Sequence, residues 1–332
     1  PTHRRDWRSR LTDHYGNPLL EQRKLLSHDA FVERTDQRVF EVNGPDAKSW
    51  LHSLLSQNIM NLKEGQSAEA LLLTPQGRIE HQLKIIATEA GVSIITAADH
   101  LESLIAWLRK MVFRAKVEII ERADLRVIGG FFIREGLCWI DKFDGEPVGS
   151  VRYAADRAEF SYREYLLKDA PTDLLPSGLL AYEALRISVG RPEIKDVDDR
   201  SLPHEFDWLS SAVHLSKGCY RGQEAVAKVH NLGHPPRRLI ILNLEQGDVL
   251  ASKDDKVFYQ EKEVGKVVAG ALHYETGSLA LALVNRNTPY LDLFIESGSF
   301  RVSAMQEVLV PHDAGKAADL PRPAAFKLTG RK

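Results

Sequence analysis

The chain has 332 residues, and its 44 Lys and Arg against 46 Asp and Glu give a formal net charge of −2. With 43% hydrophobic residues the composition is that of an ordinary globular protein, and the length predicts two or three domains. Near-balanced charge argues against a general binder of nucleic acid or of anionic membranes, since such proteins carry a basic excess. The 2 cysteines cannot form a disulfide framework, so we expect a reducing, cytoplasmic environment.

The arginine-rich start of the sequence predicts no secretory signal, because no apolar stretch follows it. An organelle transit peptide is the alternative, but Asp6 and Asp13 conflict with the acid-poor composition of such peptides. No segment approaches the roughly 18 consecutive apolar residues of a membrane span. The sequence therefore predicts no membrane segment.

Alternating and helical patterns predict a first α+β unit. Residues 38–42 alternate as a strand, and Gly44-Pro45-Asp46 opens a helix whose apolar residues recur at helical spacing. Two further strands, 70–73 and 79–87, flank a turn at 74–77, and a third covers 92–96. Asp99 with Glu102 predicts a capped helix, which a strand at 116–120 follows. This order indicates an α+β layer and not a parallel wound sheet.

A second unit is predicted from strands at 125–133, 137–140 and 159–167 and a helix at 178–189 that stops at Gly190. The polar, acidic segment 194–213 is predicted to be a long irregular connection. The acidic residues of this segment lack the spacing of a calcium loop. We therefore interpret His204, which lies among them, as part of a solvated loop and not of a metal site. No metal site is predicted elsewhere, since Gly233 and Pro235 break any helix that would align His230 with His234.

Pro235-Pro236 marks the boundary of a third unit, rich in short β segments. These segments, 238–244, 256–260, 263–269, 278–284 and 300–305, have the regular spacing of a small barrel or sandwich. The tail after Pro311 is predicted to be mobile. We therefore expect domains at 1–124, 125–235 and 236–332.

One segment carries most of the chemical information: Lys217, Gly218, Cys219, Tyr220, Arg221, Gly222, Gln223 and Glu224. Two glycines around a cysteine permit unusual backbone angles, and helical character begins at Gln223. A thiol just ahead of a helix, with Lys217 and Arg221 nearby, is in a setting that favours the thiolate. The alternative is a small buried residue in a tight turn, which is how we interpret Cys138 within its apolar strand.

This octapeptide resembles the diagnostic motif of the YgfZ-type folate-binding proteins, relatives of the glycine-cleavage T-protein, an aminomethyltransferase (GcvT-like). Weaker matches follow in order at residues 40–62, 71–86, 182–192, 263–267 and 280–284. The resemblance implies an α+β fold, a three-domain ring that ends in an antiparallel β-barrel, and a tetrahydrofolate-type cofactor in the central opening. It also implies a role in making or repairing iron–sulfur proteins rather than in glycine cleavage.

Carried over residue by residue, the resemblance makes Cys219 the candidate reactive thiol, beside the central folate cavity, and the other seven motif residues its support. One cysteine cannot hold a cluster alone, so iron–sulfur assembly proteins or client enzymes are the implied partners. The cofactor-binding candidates are Gln57, Asn58, Glu80, Tyr182, Arg186 and Ser188. Arg186 could meet a cofactor carboxylate bidentately or form a structural salt bridge, and Glu80 could equally face solvent.

Two departures from the T-protein pattern leave the activity open. In the T-protein pattern an acid pairs with the pterin at the position where this chain has Ser188. The T-protein hairpin also supplies a catalytic aspartate where this chain has Glu80-His81. The first hypothesis is therefore an accessory folate-binding factor for iron–sulfur proteins and not a classical enzyme. The second is a tetrahydrofolate-dependent aminomethyl or one-carbon transferase, and the third is a scaffold with a vestigial pocket. Neither direct nucleic-acid binding nor membrane binding is expected.

Overall fold

The structure is a computed structural model that describes residues 12–145, 148–154, 159–246 and 249–317. The arginine-rich start and the part of the predicted mobile tail beyond residue 317 lie outside the described residues. Within the described part of that tail, Ala314 is buried. Within the described ranges, no helix is long and apolar enough to cross a membrane.

The N-terminal part of the chain alternates strands and helices. In order it forms α1 (Pro18–Leu26), β1 (Ala30–Glu33), β2 (Gln37–Asn43), α2 (Ala47–Leu54), β3 (Ser67–Leu73), β4 (Ile79–Ala87), β5 (Gly91–Ala97), α3 (Leu101–Met111) and β6 (Glu118–Glu121). Five of these strands pair antiparallel in the order β3-β4-β5-β2-β6. Helices α2 and α3 bury Leu51 and Leu104 against this sheet, as their apolar spacing predicts.

The second sheet has the order β10-β1-β7-β9-β8. Its remaining elements are β7 (Arg126–Gly130), β8 (Cys138–Ile140), β9 (Arg163–Leu167), β10 (Leu175–Ser177) and the helix α4 (Leu179–Ser188). Strand β1 pairs with β10 and β7, so residues within the predicted range 1–124 complete this second sheet. Helix α4 ends as predicted, because Gly190 takes φ +70° just after it.

A closed antiparallel barrel forms the third layer. Helix α5 (Gln223–Leu232) leads into β11 (Arg237–Leu244), β12 (Lys256–Tyr259), β13 (Lys262–His273), β14 (Gly277–Asn285), β15 (Leu293–Ser297) and β16 (Phe300–Val308). The strands close in the order β11-β14-β13-β12-β15-β16 around a core that includes Leu242, Val267 and Ile295. The predicted α+β fold with a C-terminal barrel is therefore confirmed. Strand β15 is the one barrel strand that the sequence pattern did not indicate.

The predicted cap of α3 is wrong. The helix begins at Leu101 with His100 at the N-cap position, and no side chain caps it. Asp99 instead lies one residue further out and is exposed. The predicted Asp99–Glu102 arrangement therefore contributes nothing to this helix start.

The prediction of a solvated acidic connection at 194–213 is also wrong. His204, Glu205 and Asp207 are buried, and the segment contains two short 3₁₀ helices, Ile194–Asp196 and Pro203–Phe206. Glu205 stays buried because Arg237 of the barrel pairs with it at 2.8 Å. The segment thus forms part of the core between the second unit and the barrel.

Candidate functional site

Cys219 lies in an exposed turn directly ahead of α5, as the motif predicts. Gly218 beside it is also exposed, whereas Lys217 and Tyr220 on either side are buried. Cys138, by contrast, is half-buried in β8, where its Sγ donates to the carbonyl oxygen of Trp139 at 3.4 Å. Of the two thiols, the one in the motif therefore faces solvent.

Lys217 anchors the turn to the end of α2. Its Nζ donates to the carbonyl oxygens of Leu55 at 2.6 Å and Gln57 at 3.2 Å, and also to that of His52. Carbonyls at a helix C-terminus lack partners within the helix, so a lysine there satisfies them. Burial lowers the pKa of Lys217 to about 8. The ammonium of Lys217 is thus held by carbonyl oxygens at the end of this helix.

Gly222 locks the same turn against the β3–β4 hairpin. Gly222 takes φ +85° and Gly77 in the hairpin takes φ +75°, both in the left-handed region. A Cβ added at Gly222 would lie 2.5 Å from the carbonyl oxygen of Thr74, and one at Gly77 would lie 3.0 Å from the Cβ of Ala225. Both glycines are required because two backbone segments approach each other here.

Arg221 and the rest of the motif complete this contact. The Nη1 of Arg221 donates to Glu80 at 2.5 Å, and its guanidinium lies 5.2 Å from the ring centre of Trp107. Gln223 closes the turn by donating from Nε2 to the carbonyl oxygen of Lys217 at 3.2 Å, while Glu224 is exposed on α5. Glu80, a predicted cofactor ligand, is therefore engaged by the motif itself.

A pair of histidines lies beside this ion pair. The Nδ1 atoms of His81 and His100 are 3.1 Å apart, and the two rings meet edge to face. Burial, together with the nearby His100 and Arg221, lowers the pKa of His81 to about 4. His81 is thus neutral at pH 7. Of the two hairpin residues, Glu80 and His81, that stand where the transferase pattern has an aspartate, the first is paired with Arg221 and the second is an uncharged ring.

A cavity of about 100 Å³, here cavity A, lies between β5 and the segment after α4. Ile95 and Ile194 give it an apolar wall, and Asp99 and His100 line it together with Lys195. Its floor is charged: Arg34 and Lys84 also line it, and both pair with the buried Glu164 at 2.8 and 2.7 Å. The cavity is therefore small, with charges that mostly satisfy one another.

Tyr182 and Arg186 lie behind cavity A rather than in its lining. The hydroxyl of Tyr182 donates to Glu193 at 2.8 Å, and Glu193 lines the cavity. Arg186 is fully buried, with Nη1 donating to Asp196 at 2.8 Å and Nη2 to Glu183 at 2.6 Å. Although burial opposes its charge, these carboxylates raise the pKa of Arg186. Of the two alternatives predicted for Arg186, the structure therefore shows the structural salt bridge and not a side chain free for a cofactor carboxylate.

The remaining cofactor candidates lie in two other places. Ser188 at the end of α4 donates from Oγ to the carbonyl oxygen of Leu185 at 2.9 Å and does not line cavity A. Gln57 and Asn58 line a separate cavity of about 360 Å³, here cavity B, together with Trp139 and His214. The six predicted ligands are thus not brought together around one opening. Cys219, which was predicted to lie beside the folate cavity, lines neither cavity A nor cavity B.

Several residues at these sites were missed by the sequence analysis. The Arg34–Glu164–Lys84 network and the His81–His100 pair combine side chains that lie far apart in the chain. The available signal was a charge within an otherwise apolar strand, as at Lys84 between Leu83 and Ile85. Among the described residues no group of three or more His, Cys, Asp or Glu could hold a metal ion.

No protein-family model matches the chain. An aminomethyltransferase from Rippkaea orientalis is 27% identical over 329 residues, covering 84% of this chain and 87% of that protein. An iron-sulfur cluster assembly factor IBA57 homolog, mitochondrial, from Coccidioides immitis is 27% identical over 64% of this chain. The tRNA-modifying protein YgfZ from Klebsiella pneumoniae is 24% identical over 81% of this chain and 90% of its own length.

A solved structure, the glycine cleavage system aminomethyltransferase T from Bartonella henselae, has the same fold. It superposes with a TM-score of 0.69 at 16% identity and covers 91% of this chain and 90% of that one. The relatives confirm the predicted resemblance to the GcvT-like superfamily, and the solved structure shows the same fold. Within it, the resemblance to YgfZ-type proteins is confirmed. For two of the curated relatives, the matched segment is only 58% and 56% of their length.

Proposed function

We propose that this chain is a folate-binding accessory protein that supports the assembly or repair of iron–sulfur proteins, with Cys219 as its point of contact. The observation that carries the proposal is the construction of the motif turn. Lys217, Arg221 and Gly222 fix the turn to the first sheet and its helix, and the thiol of Cys219 is left in solvent. An exposed cysteine thiol can bind iron or exchange with other sulfur species.

The relatives support the same direction. The name of the Coccidioides relative assigns it to iron-sulfur cluster assembly. One thiolate is too few for a cluster, which needs about four protein ligands, so the contact must be transient or shared with a partner. We therefore propose iron–sulfur assembly proteins or client iron–sulfur enzymes as partners, in the cytoplasm.

A reduced folate is the proposed ligand of cavity A. The lining of cavity A suits the pterin end of the folate. Ile95 and Ile194 can cover the faces of the ring, and the exposed carboxylate of Asp99 can accept hydrogen bonds from its N–H groups. At about 100 Å³ the cavity is below the roughly 300–1,000 Å³ of typical ligand pockets, so it can accept only one end of the molecule. When bound, the folate would supply a one-carbon carrier, and the chain's own residues would orient its ring.

Two measurements test this proposal. In a strain that lacks the gene, Cys219→Ala should fold normally but fail to restore the activity of iron–sulfur enzymes, whereas the matched Cys138→Ala should restore it. Titration with tetrahydrofolate, followed by tryptophan fluorescence, should give a saturable change. Full restoration by Cys219→Ala would remove the thiol role, and an absent change would remove the folate role.

A second candidate is a tetrahydrofolate-dependent aminomethyltransferase. It is favoured by the 27% identity to a relative of that name, and an accessible acid in the β3–β4 hairpin would strengthen it. That hairpin holds Glu80, which is paired with Arg221, and the neutral His81. We therefore expect no release of a one-carbon unit from an aminomethyl donor, and measurable turnover would favour this candidate over the first.

A further inference from the structure

The end of α3 and the residues that follow it carry exposed positive charge. Between Glu102 and Glu118 the sequence has four cationic residues and no acidic one. All four are exposed, and so is the phenylalanine among them, whose exposed fraction is 84%. In a chain with a net charge of −2 this is a local concentration of positive charge. We call the following set the basic surface: Arg109, Lys110, Phe113, Arg114 and Lys116.

Neighbouring carboxylates do not neutralise the basic surface. Within the ranges that the structure describes, none of its four cationic side chains forms an ion pair or a hydrogen bond. The carboxylate of Asp46 accepts from the backbone N–H of Lys116 at 2.7 Å and not from the ammonium of that residue. Glu118 begins β6 and is exposed. Four cations thus stand against these two carboxylates, and the surface keeps a net positive charge.

The basic surface adjoins the turn that presents Cys219. Trp107 of α3 packs against Arg221 of the motif, whose guanidinium lies 5.2 Å from the centre of its ring. The end of α3 is also held by α2, because the Nε1 of Trp50 donates to the carbonyl oxygen of Met111 at 3.1 Å. Helix α2 is the helix whose end binds the lysine of the motif. A protein that covers the basic surface can therefore reach the exposed thiol.

We propose that the basic surface docks a partner protein through an acidic segment that also carries apolar side chains. Unpaired cations attract carboxylates and speed the encounter with an acidic partner. Phe113, with Lys110 and Arg114 near it in the chain, supplies an apolar anchor, since aromatic residues and arginine are enriched at protein interfaces. The inference rests on the proposed function in one respect, which is that the docked protein would exchange iron or sulfur with Cys219.

RNA is the other polyanion that such a surface could attract. Single-stranded RNA is bound by several aromatic rings on which successive bases stack, in a groove that follows the backbone. The basic surface contains one aromatic ring, that of Phe113, and the nearby Trp107 is half-buried against Arg221. These observations favour a protein partner over RNA.

Fluorescence anisotropy of the full chain tests the docking. The probes are a labelled peptide of glutamates with a leucine at every fourth position, the same peptide with glutamine for glutamate, and a labelled oligouridylate. The acidic peptide should bind saturably, and Lys110→Glu/Arg114→Glu should weaken it at least about tenfold. Phe113→Ser, which keeps every charge, should also weaken it about tenfold. Lys256→Glu/Lys262→Glu is the matched control, because both lysines are exposed on barrel strands.

A disulfide exchange reaction tests whether the docked peptide reaches the thiol. The acidic peptide is given a terminal cysteine that carries a 2-thiopyridyl disulfide. The thiolate of Cys219 attacks this disulfide, so that a mixed disulfide forms and pyridine-2-thione leaves. Docking raises the effective concentration of the disulfide, so the exchange should be at least about tenfold faster than with the glutamine peptide. Lys110→Glu/Arg114→Glu should remove this gain.

Saturable binding that the charge-reversed variant loses and the barrel control keeps supports the proposal. No saturable binding of the acidic peptide, or equal weakening by the control, would overturn it. Tighter binding of the oligouridylate would overturn it in favour of RNA, and binding without faster exchange would overturn the placement beside Cys219. The anisotropy result does not depend on whether Cys219→Ala restores iron–sulfur enzymes. A failure of the docking and a failure of the proposed function are therefore distinguishable.

Discussion

Replacing Gly222 with alanine tests whether the cysteine turn is shaped by contact with the β3–β4 hairpin. The left-handed φ of +85° costs about 1–2 kcal/mol for a residue with a Cβ. The new Cβ would also lie 2.5 Å from the carbonyl oxygen of Thr74, and such overpacking costs about 1–3 kcal/mol. Together these effects predict a loss of about 2–5 kcal/mol, which for a chain of 332 residues lowers the melting temperature by about 3–7 °C.

Gly218 provides the matched control on the other side of Cys219. A Cβ added there meets no atom within 4 Å, and Gly218 is not among the glycines with positive φ. We expect Gly218→Ala to change the stability by no more than about 0.5 kcal/mol. Both variants would be measured by thermal unfolding and by the reaction rate of Cys219 with a disulfide reagent. Equal melting temperatures for the two variants would refute the reasoning.

Three further predictions concern a buried histidine, a buried arginine and the two thiols. Burial lowers the pKa of His204 to about 4, against about 6.5 when unfolded, so stability should fall as the pH drops from about 6.5 to 4. Thermal unfolding of His204→Gln should show a flatter pH profile over that range. Arg186→Met should lower stability by about 3–5 kcal/mol in denaturant unfolding, because it leaves buried carboxylates unpaired; a loss below about 1 kcal/mol would contradict the network. In the native protein one thiol should react rapidly with a disulfide reagent, and Cys219→Ser, but not Cys138→Ser, should remove that phase.

Local patterns were sufficient to predict most strands and helices of the fold. The spacing of apolar residues located α2, and the glycine at 190 correctly ended α4. Strand β15 was missed because its short run, with Asp292 just before it and Glu296 within it, lacks a clear alternation. Where a helix or strand buries one face, the spacing of its apolar residues identifies the type of element from the sequence.

The site was less predictable, because its charged groups find partners far along the chain. Glu205 is buried through Arg237, 32 residues away, and Lys84 through Glu164, 80 residues away. Without the fold, such charged residues are interpreted as solvated, because an unpaired charge usually lies in solvent. The motif around Cys219 was predicted correctly as an exposed turn, because its glycines and the following helix are local signals. The roles of Lys217 and Arg221 required the fold, since their partners belong to the first sheet and its helix.

The meeting of Gly222 with the β3–β4 hairpin has a consequence for how the chain can be divided. The loop that carries Cys219 is shaped by contact with residues more than 140 positions earlier in the chain. A fragment that starts after β6 would lack the β3–β4 hairpin, so nothing would hold this loop in its conformation. The thiol acquires its final surroundings only once the two halves have docked. The conformation of the Cys219 loop therefore indicates whether the motif has docked on the first sheet.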